Sequence, residues 1–307
     1  MTTIQAPFGP MITAMITPMN PDGTVDYDGA GRLAEYLVTD MRNDGLVLNG
    51  TTGEAPTTTD TEKEQLLRVV LDAVGARAKV IAGVGTNVTA HTIELARAAE
   101  RAGADGLLVV TPYYNKPPQA ALEAHFTSVA DATGLPMLIY DIPGRTGAAV
   151  DTPTLVRLAA HPRIIGVKDA KDAPGATSHV LAETDLVYYC GTDMLNLPWL
   201  ALGAVGFISV VGHVVGDRLH EMIDAFEAGD VTRARQIHYE LIPVYDGTFR
   251  NQGAVMTKAA LDLLGQPGGA VRAPLLAATD SERHQLTLDL TAGGVKLPGT
   301  NLPGTSA

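Results

Sequence analysis

With 307 residues the chain is long enough to bury roughly 75% of its unfolded surface, and 46% hydrophobic against 18% charged residues describes a globular protein, not a disordered one. A formal net charge of -12 without a long basic run argues against nucleic acid or an anionic membrane as partner. It leaves room for small anionic substrates, because one arginine or one helix N-terminus can hold a carboxylate locally.

In chain order, Ile12–Thr17 reads as a first strand closed by Pro18, and 26–42 carries helical spacing through Leu33, Tyr36 and Leu37. A second strand spans 45–49 and runs into Gly50-Thr51-Thr52-Gly53-Glu54; a helix follows over 61–74, with Gly75 just past it. Strand three (80–84) and an alanine-rich helix (90–102) come next, then strand four (106–110), which enters Thr111-Pro112-Tyr113-Tyr114-Asn115. A helix over 122–132 leads to strand five (137–140), which ends in Asp141-Ile142-Pro143-Gly144-Arg145-Thr146-Gly147. After a helix at 154–160 come strand six (164–168), strand seven (186–190), a helix at 195–202 and strand eight (207–211). The strands are continuous apolar runs, as parallel strands covered on both faces must be. Eight βα units predict an α/β protein, a (β/α)8 TIM barrel. A doubly wound sheet would call for a glycine-rich phosphate turn after strand one, and none follows Thr17.

Three further helices, at 218–228, 231–244 and 254–264, exceed what the barrel needs and predict a C-terminal helical appendage. The expected division is a catalytic barrel over 1–224, a helical region over 225–292 and a flexible Gly/Pro/Thr/Ser-rich tail over 293–307. Cys190 is the only cysteine, so no internal disulfide can form and a reducing compartment fits. Residues 1–5 lack a basic n-region and an apolar h-region, and no apolar run reaches transmembrane length. A cytoplasmic protein without a membrane partner is expected.

Chemistry gathers at Ile164-Ile165-Gly166-Val167-Lys168-Asp169. Four residues without ionisable side chains end on a lysine at the carboxyl end of a buried strand, the face where barrels of this kind build their sites. An apolar site disfavours an ammonium ion, and a neutral amine can attack a carbonyl and form a Schiff base. Read alone, such a lysine more simply snorkels past the strand end. Thr51 and Thr52, Tyr113 and Tyr114, Tyr140, Arg145 and Ser209 fall at or near other strand ends, which makes a Schiff-base site the better reading of the set. Singly, each has a plainer role: Thr51–Glu54 as a helix entry, Tyr140 as a core tyrosine, Arg145 in a surface ion pair and Cys190 as a small buried hydrophobe. The eight histidines show no metal spacing, and no Walker loop or dinucleotide fingerprint is present, so neither metal nor nucleotide cofactor is expected.

Four motifs, Gly50–Glu54, Thr111–Asn115, Tyr140–Gly147 and Gly166–Asp169, occur in order and at similar spacing to those of the 4-hydroxy-tetrahydrodipicolinate (dihydrodipicolinate) synthase family, which the chain resembles from about residue 10 to about residue 290. That family belongs to the pyruvate-dependent Schiff-base lyases, with N-acetylneuraminate lyase as a sister. The resemblance implies condensation of pyruvate with L-aspartate 4-semialdehyde in diaminopimelate and lysine biosynthesis, without a cofactor. It implies that Lys168 forms the Schiff base and Tyr140 moves the proton. Thr51 and Tyr114 would complete a relay, Tyr114 reaching into a neighbouring subunit of a homotetramer built as a dimer of dimers. Thr52, the backbone of Ile208 and Gly191 would serve the pyruvate side, and Arg145 the carboxylate of the semialdehyde.

Departures from the family pattern are Asp141, where many relatives have asparagine, and the segment 249–258, which lacks a common proline-rich form. Asp60, Lys63 and His91 stand where lysine-inhibited members carry histidines and a glutamate, so lysine feedback is expected to be weak or absent. The competing reading within enzymes is a sister pyruvate aldolase, N-acetylneuraminate lyase or a keto-deoxy-sugar aldolase. Gly-Thr-Thr-Gly-Glu rather than Gly-Ser-Thr-Gly-Glu, together with Arg145, weighs against it. A non-catalytic acid-binding protein on the same scaffold would not need the lysine, tyrosine and threonine together.

Overall fold

Apolar stretches too short for helices alternate along the chain with amphipathic segments, and the computed structural model, which describes residues 6–298, closes them into a barrel. Its parallel strands are β1 (Met11–Ala14), β2 (Gly45–Leu48), β3 (Lys79–Gly83), β4 (Gly106–Val110), β5 (Met137–Asp141), β6 (Ile164–Asp169), β7 (Val187–Cys190) and β8 (Gly206–Ser209). β1 pairs with both β2 and β8, so no strand edge is left open. Around them lie α1 (Tyr27–Thr39), α2 (Asp60–Val74), α3 (Thr89–Ala102), α4 (Gln119–Asp131), α5 (Pro143–Thr146), α6 (Thr152–Leu158), α7 (Pro174–Glu183), α8 (Asn196–Leu202) and α9 (Gly212–Glu227). The chain then adds α10 (Val231–Phe249), α11 (Gly253–Leu263) and α12 (Asp280–Ala292).

Strand alternation divides the core in two. Inward side chains such as Ile12, Val47, Ile81, Leu108, Leu138, Tyr189 and Ile208 fill the barrel, with Phe8 packed among them at its amino end. The Tyr189 hydroxyl donates to the Gly9 carbonyl at 3.2 Å and accepts the Phe8 N–H at 3.3 Å, which closes that end. Outward side chains meet the helices.

The sequence reading holds for fold class and strand order and errs at particular elements. Strand eight stops at Ser209, short of Val211, because the N–H groups of Val210 and Val211 bond the Asp193 carboxylate instead of a neighbouring strand. The helix expected from 218 begins at Gly212, with a break at Val215 (φ -140°, ψ 28°). It packs on β1 and α1, so it is the eighth helix of the barrel ring, and the appendage proper starts at α10. Two long helices escaped the reading because their buried stripes are thin. Only Thr177 and Val180 are buried in α7, and only Leu286 and Leu290 in α12. The single turn of α5 was read as loop. Of the expected tail, Val295 and Leu297 pack against the C-terminal helices, and 299–307 lie outside the described residues.

The appendage is stitched to the barrel by Arg272, whose Nη2 and Nη1 donate to Glu62 Oε1 and Oε2 at 2.9 and 3.0 Å. That bidentate bond, with help from the Thr59 capping box, holds the Glu62 carboxyl down to about 2. A depressed folded value means that the contribution is complete above the ordinary carboxylate value of 4.5 and drains away as pH falls toward 2. Glu62→Gln is therefore expected to flatten the acid limb of stability between those values in urea melts taken across pH. An unchanged acid limb would show that the bond carries no such linkage.

Candidate active site

Tyr140 of β5 and Lys168 of β6 are partners in the parallel register. Partnered residues on adjacent parallel strands point to one face, and here that face is the barrel interior. Lys168 Nζ consequently lies 4.3 Å from the centroid of the Tyr140 ring. Both residues are buried, at 4% and 5% exposure, and no described carboxylate lies within ion-pairing distance of Nζ. Asp169, the next residue in the strand, turns to the opposite face. It accepts the N–H groups of Lys171 and Asp172 and the Thr177 hydroxyl, so it orders the turn after β6 and does not neutralise the lysine. Glycine at 191 is required sterically: a Cβ there would sit 3.0 Å from Lys168 Cε, 3.1 Å from its Cγ and 2.9 Å from the Asp169 carbonyl.

The loop after β2 carries the two threonines. The capping role open to them in the sequence belongs elsewhere, since Thr59 caps α2. The Thr51 and Thr52 hydroxyls bond no described residue. The loop is pinned from two sides. The Thr17 hydroxyl donates to the Gly53 carbonyl at 2.7 Å. Glu54, in the left-handed region at φ 55°, sends its carboxylate not toward a helix dipole but into the appendage. There Lys258 Nζ donates to Oε1 at 2.5 Å and the Arg272 N–H to Oε2 at 2.8 Å. Lys258 also donates to the Ala270 carbonyl, and burial lowers its ammonium value while Glu54 raises it.

At β8 the carboxylate of Asp193 accepts the Val210 and Val211 N–H groups at 2.9 and 3.1 Å, the Asn196 amide at 3.2 Å and the Ser209 hydroxyl. Full burial pushes this carboxyl up and the four donors pull it back. The result is a rigid turn directly behind the Ile208 backbone. His213 takes the Ile16 N–H on Nε2 at 3.0 Å, so the proton sits on Nδ1, which donates to the Val210 carbonyl at 2.7 Å. Burial holds its imidazole down to about 4, so it stays neutral and ties the ends of β1 and β8 together.

A cavity of about 400 Å³ opens at the carboxyl ends of β2 to β5. Thr51, Tyr140 and Arg145 share its wall with Tyr113, Lys63 and His91. Arg145 is exposed on α5, its guanidinium pairs with no described carboxylate, and so the surface ion pair open to it in the sequence is not made. Lys168, Thr52, Gly191 and Ile208 are not part of that wall. Tyr114 is not brought in at all. It is 89% exposed, held at φ 74°, with its N–H donating to the Thr146 carbonyl at 3.2 Å. His91 Nε2 bonds Asp60 at 2.9 Å and Lys63 Nζ bonds the Thr58 carbonyl. Among the described residues no cluster of His, Cys, Asp or Glu is arranged to hold a metal, and no helix is long and apolar enough to cross a membrane.

The sequence reading missed Asp193, His213 and Lys258. Asp193 had a signal, its place just past a barrel strand end. The other two act through partners about 200 residues away in the chain, which no local pattern announces.

Known proteins resemble the chain along nearly its whole length. Residues 7–293 match the model of the dihydrodipicolinate synthetase family. The chain is 60% identical to 4-hydroxy-tetrahydrodipicolinate synthase 2 of Streptomyces coelicolor, over 96% of this chain and 99% of that protein. It is 61% identical to the 4-hydroxy-tetrahydrodipicolinate synthase of Acidothermus cellulolyticus, over 94% of each. Among solved structures, the lysine-bound DHDPS of Cyanidioschyzon merolae superposes with a TM-score of 0.92 at 39% identity, over 94% of this chain and 99% of that one.

Proposed function

The chain belongs to the dihydrodipicolinate synthetase family, and we propose that it is a 4-hydroxy-tetrahydrodipicolinate synthase whose chemistry is carried by Lys168. It is a lyase-type enzyme that condenses pyruvate with L-aspartate 4-semialdehyde through a lysine Schiff base, on the route to diaminopimelate and lysine. The observation that supports the residue assignment is the buried Nζ beside the Tyr140 ring, with no carboxylate among the described residues to hold it.

In our reading Nζ attacks the keto carbon of pyruvate and gives up its protons as the carbonyl oxygen takes them and leaves as water. Tyr140, with Thr51 beside it on the cavity wall, moves those protons without carrying a full charge for long. The protonated imine drains electrons from the methyl carbon, which gives up a proton to the same hydroxyl relay; the resulting enamine attacks the aldehyde carbon, and the aldehyde oxygen takes a proton back. The substrate's own amine then displaces Lys168 as the ring closes. Thr52, the Ile208 backbone and the room left by Gly191 serve pyruvate, and the unpaired Arg145 meets the carboxylate of the semialdehyde at the rim. No cofactor enters this scheme. We take the working form to be a cytoplasmic homotetramer, a dimer of dimers in which the exposed Tyr114 enters the site of the neighbouring copy and completes the relay. The division into a barrel (1–224), a helical region (225–292) and a tail (293–307) is part of the same proposal.

A coupled assay tests the reaction. Turnover is expected with pyruvate plus aspartate semialdehyde and not with N-acetylneuraminate; the reverse preference would make the protein a sugar-acid lyase. The same assay with added L-lysine is expected to show no inhibition at sub-millimolar concentration, because Asp60, bonded to His91, and Lys63 line the cavity where lysine-inhibited relatives carry histidines and a glutamate. Half-inhibition in that range would refute this.

A further inference from the structure

One buried ion pair stands beside the reaction without taking part in it. Asp141 ends β5 directly after Tyr140, and alternation turns its side chain out of the barrel. Lys171 lies three residues beyond Lys168, and its Nζ is 3.2 Å from Asp141 Oδ2, with side-chain exposures of 13% and 1%. Both groups reach the same backbone residue. The Val150 N–H donates to the two Asp141 oxygens at 3.3 Å each, and Lys171 Nζ donates to the Val150 carbonyl at 2.8 Å. Burial pushes the Asp141 carboxyl up to about 6, against the pull of Lys171.

Val150 is where the segment that leaves the barrel at Asp141 comes back to it. In between, α5 carries Arg145, and the Thr146 hydroxyl donates to the carbonyls of Ile142 and Ala148 at 3.1 and 2.8 Å. The segment is thus braced within itself and fastened where its two ends meet, at Val150 by Asp141 and Lys171, with the Gln119 amide donating to the adjacent Ala149 carbonyl at 2.8 Å. The Thr146 carbonyl in turn receives the Tyr114 N–H, so the loop after β4 hangs from the same brace. A buried charge pair seldom adds net stability over an apolar replacement, so its presence here asks for another explanation. Holding a rim loop to within a fraction of an ångström is one, because small misplacements of a binding group are costly to the reaction.

We propose that Asp141 and Lys171 are positioning residues for Arg145, a clamp that fixes both ends of segment 142–149 and so sets where the guanidinium meets the carboxylate of the second substrate. The inference rests on the reading of Arg145 given above. Pyruvate capture takes place inside the barrel, on side chains the clamp does not touch. Its loss should therefore fall on the semialdehyde and spare the first step.

Double variants that leave no lone buried charge make the test. Asp141→Asn with Lys171→Gln keeps an acceptor and a donor for Val150, whereas Asp141→Ala with Lys171→Met keeps neither. The first pair is expected to hold the KM for aspartate semialdehyde within about threefold of the parent. The second is expected to raise it about tenfold or more. Borohydride-trapped pyruvate adduct at Lys168 should form at the parental rate in both. Equal KM values for the two pairs overturn the clamp, and so does a matched fall in adduct formation, which would mark a merely structural role. Arg145→Ala is the control. If it raises that KM and the alanine–methionine pair does not, the clamp alone fails; if it leaves KM unchanged, the reading of Arg145 fails and the clamp with it. Should the alanine–methionine protein not fold, Asp141→Asn with Lys171→Met keeps the acceptor for the Val150 N–H, loses the ion pair and the donor to the Val150 carbonyl, and is read the same way.

Discussion

Lys168→Ala is expected to lower turnover by about 10³-fold or more, the scale on which enzymes lose rate with their nucleophile. The loss follows from placement. Lys168 is the amine on the inner face of β6, 4.3 Å from the ring of Tyr140. The other buried lysine, Lys258, is committed to Glu54 and the Ala270 carbonyl. Lys171, the next lysine in sequence, is spent on Asp141 and Val150 on the outer side of the strand. Neither can replace the missing amine. Borohydride reduction in the presence of pyruvate should add a stable mass to the parent at the peptide containing Lys168 and none to the variant. Folding should survive, because the truncation removes a side chain that no described carboxylate depends on. An adduct on another lysine, or a variant with more than a tenth of parental turnover, would defeat the assignment.

Lys258→Met is expected to cost roughly 3–5 kcal/mol of stability, the usual penalty for stranding one member of a buried ion pair. Glu54 and Lys258 expose 1% and 3% of their side chains. Without the ammonium, the carboxylate keeps only the Arg272 N–H and has no water to turn to. The pair as a whole need not be stabilising, since both charges pay desolvation. Glu54→Gln combined with Lys258→Met should accordingly recover much of the loss. Urea unfolding at fixed protomer concentration measures all three proteins. A single variant within about 1 kcal/mol of the parent would mean that the pair does not hold the loop. Because Glu54 closes the turn that begins at Thr51 and Thr52, the single variant should also lose activity at temperatures where it remains folded.

Much of this could be read before any coordinates existed. Buried parallel strands admit little but apolar residues, so the eight strands declare themselves, and the face on which a barrel builds its site then sends attention to strand ends. Lys168, Tyr140, Thr51, Thr52 and Arg145 stand in the loops and strand ends where that rule looks. What stayed hidden shares a cause. The helices α7 and α12 bury two residues each, too few to print a period. Strand eight was read two residues too long because Val210 and Val211 look like strand and are claimed by a distant aspartate. Glu54 looked like the start of a helix and is instead half of a bond to Lys258, 204 residues away.

The sequence by itself determined the order of elements, the closed α/β architecture and the residue types a Schiff base requires. Those follow from periodicity and side-chain chemistry, which are local properties of a chain. Only the tertiary structure decided which charges meet: Glu54 with Lys258, Asp141 with Lys171, Asp193 with the turn after β8, and Lys168 with none. A buried charge answers to whatever lies within a few ångströms of it, and closure of the barrel brings segments together regardless of their separation along the chain.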